Sequence, residues 1–269
     1  MTFTSYSQNL EDVMLHRALS DVARGFYIDV GAADPASLSV TKAFYDSGWR
    51  GINVEPDPDF AASLRAARSR DVTIQAALGA TPGRMIINRF VNTGWSTFDE
   101  EVAARHMAAG YSSTRLEVAV TTLSEVCRTY AATDIHFLKI DVEGSERAVL
   151  EGADFSMYRP WVVLVEATAP GQPTPTHETW EPILVDAAYV FVWFDGLNRF
   201  YVTKEHEEAL RPAFLTPPNF FDYFQRAEEV ALRSRAEAAE LALARLTASK
   251  PWRAAGLRAI TELLRRLRH

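Results

Sequence analysis

Short apolar segments that reach an acidic residue near their carboxyl ends recur along this chain and constrain its fold more than any other feature. The clearest are GFYIDVGA (25–32), GINVEPD (51–57), HFLKIDV (136–142) and WVVLVEAT (161–168). Helical spacing of apolar residues separates them, over 36–48, 58–70, 145–153 and 177–188. Strands that are apolar on both faces and alternate with helices are typical of a parallel sheet covered on each side. An α/β fold is therefore expected.

Further strands are predicted between and after these segments. Residues 72–78 and 83–91 are expected to be the third and fourth strands, and 114–130 a strand followed by a helix. Near the end of the pattern, YVFVWFD (189–195) and RFYVTKE (199–205) predict a hairpin. That hairpin suggests an antiparallel strand at one edge of the sheet.

Four acidic residues lie at the carboxyl ends of predicted strands: Asp29, Glu55, Asp141 and Glu166. In open α/β sheets, ligands bind beyond the carboxyl ends of the strands, near the point where the strand order reverses. Four carboxyl groups at one edge are hard to explain as solvated turns. They predict a site at that edge.

A glycine and an acidic residue suggest what this site binds. Gly31 follows Asp29 after one residue, and Glu55, which ends the next strand, could accept two hydrogen bonds from a ribose diol. The phosphate-binding pattern G-x-G-x-x-G is absent, since the stretch is GAADPA, and there is no P-loop. A nucleoside without phosphates is expected, with S-adenosylmethionine the obvious candidate and with Ala32 and Pro56 in the same loops. In the alternative interpretation, Gly31 merely ends a strand and Asp29 caps the next helix.

Composition excludes several classes of protein. The chain has 269 residues, 48% of them hydrophobic and 23% charged, with a single cysteine and a net charge of −7. No apolar run approaches eighteen residues, and the first residues lack the pattern of a signal peptide, so a cytoplasmic protein is expected. Residues 226–269 carry ten Arg or Lys and five Glu, which leaves −12 on residues 1–225. An acidic body argues against nucleic acid as the main partner.

Several motifs, in order, resemble one family. They are SQNLEDVML (7–15), GFYIDVGAADPASLSVTKAFYDSGWRGINVEPDP (25–58), LKIDVEGSERAVLEGAD (138–154), HETWEPIL (177–184) and FDGLNRFYV (194–202). Together they resemble the FkbM-type S-adenosylmethionine-dependent methyltransferases. The resemblance implies a class I methyltransferase (Rossmann-like) fold, with a seven-stranded, mostly parallel sheet whose last strand is antiparallel. It also implies O-methylation, often of a sugar or polyketide hydroxyl.

The resemblance places cofactor-binding motifs on particular residues. It assigns Asp29, Gly31 and Glu55 to the cofactor site, with Gln8 and Asp12 in an N-terminal segment that would cover it. The acceptor does not follow from the resemblance, because family members differ widely in substrate.

Methyl transfer to a hydroxyl also needs a group that removes a proton from the acceptor. Three roles are open for the carboxyl groups near residue 141. Asp141 could orient the amino group of the cofactor; Asp141, Glu143 or His177 could be the base; or Asp141, Glu143 and Glu166 could hold Mg²⁺. Alternatively, Glu143 and Glu146 cap the following helix, and His177 is an exposed polar residue at a helix start. In GWSTFD (94–99), Trp95 or Ser96 could cover the cofactor or pack in the core.

Residues 225–269 are expected to form a helical, basic, amphipathic tail that follows a methyltransferase domain of residues 1–224. Leu232, Ala236, Ala239, Leu243 and Leu246 make a short heptad pattern, and a second apolar stripe follows Pro251. The stripe could dock on the body of the protein. In the sharper hypothesis, it contacts an anionic membrane or a partner enzyme that handles lipid-linked sugars.

These observations favour an S-adenosylmethionine-dependent O-methyltransferase that acts on a carbohydrate hydroxyl. The alternatives are a methyltransferase for a polyketide or other small natural product, and a non-catalytic scaffold that keeps the fold.

Overall fold

The computed structural model describes residues 2–91, 93–131 and 134–249. They form two compact units, one over Phe3–Phe224 and a second that begins at Gln225. The second stripe of the predicted tail, after Pro251, lies outside the described residues.

The strands, in chain order, are β1 (Phe3–Ser5), β2 (Phe26–Val30), β3 (Arg50–Val54), β4 (Val72–Ile74), β5 (Ala77–Leu78), β6 (Gly83–Arg89), β7 (Thr114–Thr121), β8 (Phe137–Ile140), β9 (Val162–Glu166), β10 (Tyr189–Phe194), β11 (Asn198–Thr203) and β12 (Phe224–Arg226). The α-helices are α1 (Glu11–Ala18), α2 (Lys42–Asp46), α3 (Pro58–Ala67), α4 (Glu100–Ala108), α5 (Leu123–Tyr130), α6 (Glu146–Glu151), α7 (Glu181–Asp186), α8 (Glu207–Leu210) and α9 (Ala227–Ser249). Short 3₁₀ turns lie at His177–Thr179, Lys204–His206, Arg211–Phe214 and Phe220–Asp222.

Seven strands form the main sheet, in the order β10-β11-β9-β8-β2-β3-β4. The pairs from β9 to β4 are parallel, whereas β11 is antiparallel to both β9 and β10. The expectation of a seven-stranded, mostly parallel sheet is confirmed.

The antiparallel strand is not at the edge of the sheet, where the hairpin suggested it. Strand β11 lies between β9 and β10, and β10 forms the edge. The connection is tight, because Asp195 Oδ1 accepts hydrogen bonds from the N–H groups of Leu197 and Asn198. As a result of this order, the second strand of the hairpin, and not the first, pairs with β9.

Alternate residues of the central strands pack on opposite faces of this sheet, as the period of two requires. One face buries the row Ile28, Leu138 and Val163. The other face buries the neighbouring row Tyr27, Phe137 and Val162. Both faces are apolar because both are covered, which explains why the strand segments lack polar alternation.

The prediction that residues 83–91 form the fourth strand of the main sheet is wrong. The segment 72–78 divides into β4, which joins the main sheet, and β5, which does not. Strands β5, β7 and β6 make a separate three-stranded sheet, in which β6 pairs with β7 from Gly83 to Arg89. Met85 and Ile86 are neighbours in β6 and both are exposed, so both faces of the strand are open at this point.

The helices differ from the predictions mainly in their limits. The predicted helix over 36–48 is only α2, because Leu38 has a positive φ of 57° and the chain turns there. The predicted helix over 177–188 opens as a 3₁₀ turn before α7. Helices α1 and α4 were not predicted; Asp99 caps α4 by accepting hydrogen bonds from the N–H groups of Glu101 and Val102.

The second unit contains the 23-residue helix α9, which covers the predicted heptad pattern. Leu232 of that pattern is exposed. Within the described residues, no helix is long and apolar enough to cross a membrane.

Candidate functional site

A cavity of about 360 Å³ lies at the carboxyl edge of the main sheet. Eight of the residues predicted for the site line it: Gln8, Asp29, Gly31, Ala32, Glu55, Pro56, Asp141 and Glu143. Three predicted residues do not line it, namely Asp12, Glu166 and His177. The expected convergence of strand ends is therefore present, although not for every residue.

Gly31, just after β2, lies where the backbone of a neighbouring strand comes close. Its φ is +75°, and a Cβ at this position would lie 1.8 Å from the carbonyl oxygen of Asp141. Any other residue would push the loops after β2 and β8 apart. The close approach that requires this glycine is thus to the protein's own backbone.

Glu55 follows β3 and is buried at the wall of the cavity. Its Oε2 accepts a hydrogen bond from the N–H of Ala33 (2.8 Å), and its Oε1 accepts one from the N–H of Asp57 (2.7 Å). Burial raises the pKa of Glu55 to about 7, although these two N–H groups act to lower it. Glu55 is therefore held in one orientation by backbone N–H groups of the loops after β2 and β3.

Asp29, at the end of β2, contacts both Thr41, which precedes α2, and the buried Lys139. Its Oδ2 accepts a hydrogen bond from the hydroxyl of Thr41, the residue that precedes α2, at 2.9 Å. Its Oδ1 lies 3.4 Å from the Nζ of Lys139 and accepts no hydrogen bond. The alternative that Asp29 supports the next helix is thus partly right, since it acts through Thr41, and Asp29 also lines the cavity.

Lys139 of β8 joins three groups at the centre of the site. Its Nζ donates to the carbonyl oxygen of Gly31 (2.8 Å) and lies 3.4 Å from both Asp29 and Asp141. Burial acts to lower the pKa of Lys139, but Asp141 and Asp29 outweigh it and hold the pKa above its usual value. Lys139 therefore stays charged between two carboxyl groups.

The loop after β8 turns sharply at Glu143 and Gly144, whose φ values are 52° and 101°. Glu146 Oε1 accepts hydrogen bonds from the N–H groups of Val142 (3.2 Å) and Gly144 (3.1 Å). Glu146, rather than Glu143, thus supports the start of α6. Glu143 instead faces the cavity, where burial and the nearby Asp141 raise its pKa to about 8.

Glu166, at the end of β9, is buried and close to the carboxyl groups of this loop. Its Oε2 is buried without a hydrogen bond. Burial, together with Asp141 and Glu143, raises the pKa of Glu166 to about 10. Within the described residues, no group of three or more His, Cys, Asp or Glu side chains is arranged to hold a metal ion. The geometry therefore does not support the proposed set of Asp141, Glu143 and Glu166 as magnesium ligands.

The N-terminal segment contributes Gln8 and Glu11 to the cavity, but not Asp12. The carboxyl group of Asp12 accepts hydrogen bonds from the hydroxyls of Ser5 and Ser7 and from the N–H groups of Tyr6 and Ser7. With these four bonds, Asp12 stabilises the turn that precedes α1.

Glu11 is the acidic residue of this segment that lines the cavity. Its Oε1 accepts a hydrogen bond from the side-chain amide of Asn198 (3.0 Å), and its Oε2 accepts one from the N–H of Asn9. Burial raises the pKa of Glu11 to about 7. Asn198, which pairs with Glu166 across β11 and β9, also lines the cavity.

His177 lies in a 3₁₀ turn, and its Nε2 is 4.0 Å from Glu181 Oε2. Its ring also makes an edge contact with Trp180. The same Glu181 carboxyl group accepts a hydrogen bond from Arg199.

Trp95 and Ser96 both line the cavity. The Trp95 ring stacks on His106 with 5.4 Å between the ring centroids, and Ser96 Oγ accepts a hydrogen bond from the N–H of Phe90. These residues precede Thr97, which forms a bridge with Asn88 of β6. Because Ile87 of β6 also lines the cavity, the three-stranded sheet supplies part of the cavity wall.

Sequence reasoning missed several residues that line the cavity, among them Lys139, Glu11 and Asn198. Lys139 had a signal, because a lysine two residues before a strand-end aspartate in an apolar segment needs a charged partner. Glu11 stands next to Asp12, and only the helix geometry shows which of the two faces the cavity. Asn198 carried no signal, since its position depends on where β11 inserts.

Comparison with known proteins identifies the family. The family model described as "Methyltransferase FkbM domain" matches residues 29–191, more than half of the chain. No curated protein matches the sequence. Among solved structures, a TehB-like SAM-dependent methyltransferase from Corynebacterium glutamicum is similar, with 7% identity, a TM-score of 0.40, and coverage of 71% of this chain and 88% of that one. A putative O-methyltransferase from Klebsiella pneumoniae is 10% identical, with a TM-score of 0.34 and coverage of 74% and 82%. On the family match, the chain belongs to the FkbM methyltransferase family.

Proposed function

We propose that this protein is an S-adenosylmethionine-dependent O-methyltransferase, with a class I methyltransferase fold, that methylates a hydroxyl of a carbohydrate. A glycan or a lipid-linked sugar is the proposed acceptor. Family membership supports methyl transfer, and a cavity at the carboxyl edge of a mostly parallel sheet supports a bound nucleoside.

The observation that carries the cofactor proposal is the placement of Glu55. A carboxylate has about four lone-pair sites, and the two backbone N–H groups occupy only two of them. The remaining sites could accept both hydroxyls of a ribose. The GAADPA loop offers no phosphate cradle, which favours a nucleoside without phosphates over a dinucleotide.

The other groups of the cavity suit the rest of this cofactor. Asp141, which also contacts Lys139, could accept a hydrogen bond from the ammonium group of the methionine part. A volume of about 360 Å³ lies within the usual range of ligand pockets. When bound, S-adenosylmethionine supplies a methyl group on a positively charged sulfur.

The proposed acceptor end lies on the far side of β8. Strands β3, β2, β8, β9 and β11 are neighbours in that order, so four spacings of about 4.8 Å place Asn198 on the order of 19 Å from Glu55. Glu11 accepts a hydrogen bond from Asn198 at this end, and Gln8 of the same N-terminal segment also lines the cavity. Two amides and a carboxyl group are suited to hydrogen-bond a polyhydroxylated acceptor, which supports a carbohydrate.

The base that takes the acceptor proton is proposed to be Asp141 or Glu143, which line the cavity between these two ends. His177 would need to move to serve, since it does not line the cavity. Glu143, with a pKa raised to about 8, is mostly protonated in the free protein at neutral pH. Asp141 is therefore the leading candidate.

Calorimetric titration with S-adenosylhomocysteine tests the cofactor proposal. The wild-type chain should bind, and Glu55→Ala should weaken binding by about 1.5–3 kcal/mol, the scale of charge-assisted hydrogen bonds. Glu117→Ala, at an exposed residue that pairs with Arg84 outside the cavity, is the matched control and should leave affinity unchanged. Equal affinity of Glu55→Ala and wild type would remove Glu55 from the ribose role.

The acceptor can be tested with S-adenosylmethionine that carries a tritiated methyl group. Glycans from a deletion strain should accept label from the purified protein, and mass spectrometry should show them lighter than wild-type glycans by one methylene group. Label that enters only small apolar natural products would contradict the carbohydrate proposal.

A further inference from the structure

Arg89, the last residue of β6, joins the three-stranded sheet to the segment that follows Glu55. Its Nε donates to Asp57 Oδ2 at 2.5 Å, and its Nη2 donates to Asp57 Oδ1 at 3.0 Å. The same Nη2 also donates to Asp59. A guanidinium that holds a carboxylate through two parallel bonds fixes both its position and its orientation.

Asp57 passes this constraint to Glu55. Asp57 is buried and caps α3, because its Oδ1 accepts a hydrogen bond from the N–H of Asp59 at 2.8 Å. Its own N–H donates to Glu55 Oε1 at 2.7 Å. A shift of Asp57 would therefore move one of the two N–H groups that orient Glu55.

Charge connects the same residues. Among the groups that face Glu55, Asp57 acts to raise its pKa, and Lys139 acts to lower it. Asp29, Asp34 and Asp141 also line the cavity. Arg89 is the cation paired with Asp57, so its loss would leave a buried negative charge uncompensated two residues from Glu55.

We infer that Arg89 is a positioning residue for the cofactor site, which acts through Asp57 to keep Glu55 oriented and able to accept hydrogen bonds. The inference rests on the proposed function, because it assigns Glu55 to the ribose of S-adenosylmethionine. The three-stranded sheet would then contribute to cofactor binding through Arg89, in addition to contributing Ile87 to the cavity wall.

The chain offers a matched control on the same strand. Arg84 of β6 pairs with Glu117, and both side chains are well exposed. Neither residue lines the cavity, so Arg84→Ala removes an ion pair of β6 outside the site. Arg89→Ala removes the contact with Asp57, and Arg89→Lys keeps the charge but not the two parallel bonds. Calorimetry with S-adenosylhomocysteine and a carboxyl-carbon NMR titration of Glu55 in the ligand-free chain give two independent readouts.

For Arg89→Ala, we expect the dissociation constant of S-adenosylhomocysteine to rise about tenfold, the scale of one charge-assisted hydrogen bond. The titration midpoint of Glu55 should move to higher pH, because an unpaired Asp57 disfavours the ionised form. For Arg89→Lys, the titration midpoint of Glu55 should be closer to the wild-type value than the affinity for S-adenosylhomocysteine is, because lysine keeps the charge but not the two parallel bonds. Arg84→Ala should match wild type in both measurements.

The outcomes separate this inference from the proposed function. If wild type fails to bind S-adenosylhomocysteine, the proposed function is wrong and the inference is wrong with it. If wild type binds, and Arg89→Ala shares its affinity and its Glu55 midpoint, the proposed function survives and the inference is overturned. A lower melting temperature with both readouts unchanged would make Arg89 a purely structural residue. Should Arg89→Ala not fold, the same two readouts on Arg89→Lys decide.

Discussion

Two parts of the carboxyl edge of the main sheet, a β3 end and a β8–β9 end, treat their carboxyl groups in opposite ways. At the β3 end, each oxygen of Glu55 accepts a backbone N–H, and the neighbouring Asp57 is paired with Arg89. At the β8–β9 end, Glu166 Oε2 has no hydrogen bond, and Asp141, Glu143 and Glu146 lie close enough to raise its pKa. The first arrangement is suited to hold a ligand, whereas the second is suited to exchange protons.

The difference follows from how backbone and side chains meet at each end. Loops after β2 and β3 aim backbone N–H groups at Glu55, so Glu55 is the one side chain that loses rotamer freedom in these two hydrogen bonds. After β8 the chain turns through two residues with positive φ, and the N–H groups of this turn go to Glu146. Asp141 and Glu143 are left facing the cavity with Lys139 as the nearby cation.

The largest expected effect tests the reactive end. Asp141→Asn keeps the size of the side chain but removes its charge, so methyl transfer should slow by about 10²-fold, the usual loss when a positioned proton acceptor is removed. Affinity for S-adenosylhomocysteine should fall less, by about tenfold, because Asp141 is also proposed to accept one hydrogen bond from the ammonium group of the ligand. The rate is measured at saturating cofactor with the labelled glycan acceptor, and calorimetry supplies the affinity.

A near-normal rate for Asp141→Asn would show that this carboxyl group only shapes the loop, and the comparison of the two ends would fail. The matched control is Glu151→Gln, at a partly exposed residue that pairs with Arg147 on α6. It should leave rate and affinity unchanged.

A change of pH should act on the free protein and on cofactor binding in opposite directions. Burial raises the pKa of Glu11 and Glu55 to about 7 and that of Glu143 to about 8, above their unfolded values. The folded chain then binds more protons than the unfolded chain from about pH 5 to 8, so the free energy of unfolding should fall as pH rises through that window. Affinity for S-adenosylhomocysteine should instead rise, approaching about tenfold per pH unit below pH 7, because the ribose contacts need ionised Glu55.

Thermal unfolding and calorimetry across the same pH values check both trends. Affinity that does not change between pH 5.5 and 8, a range of about 2.5 units that spans the Glu55 pKa, would mean that the ligand does not select the ionised form. The Glu55→Gln variant is the control, since its cofactor affinity should lose the pH dependence.

The smallest effect on the cavity is expected from the tail. Deletion of residues 249–269 should leave affinity for S-adenosylhomocysteine unchanged, because the cavity is lined by residues of the first unit. This segment carries six Arg or Lys and one Glu, so the truncated chain should sediment less with phosphatidylglycerol vesicles than the full chain does. Phosphatidylcholine vesicles are the control. Loss of folding on truncation would instead assign the apolar stripe to the protein core.

Much of the fold could be predicted from local pattern. The strands β2, β3, β8 and β9 lie where uniform apolar segments predicted them. Burial on both faces of a strand requires a nearly continuous apolar segment, which is easy to recognise in a sequence. The segment 83–91 was misassigned for the opposite reason. Strand β6 is exposed on both faces at Met85 and Ile86, and a strand with so little buried surface has the same local pattern whichever sheet it joins.

The sequence by itself determined the mostly parallel sheet, the row of carboxyl groups along its edge and the place of Glu55 among them. These depend on residues close together in the chain. Only the tertiary structure decided that β11 lies between β9 and β10, with β10 at the edge of the sheet. It also decided that Glu11, and not Asp12, lines the cavity. Finally, it decided that Lys139 pairs with Asp29 and Arg89 with Asp57, which are distant in sequence. Each of these features depends on where a neighbouring element packs. The residues next to a charged side chain in the sequence do not show which distant residue will form an ion pair with it.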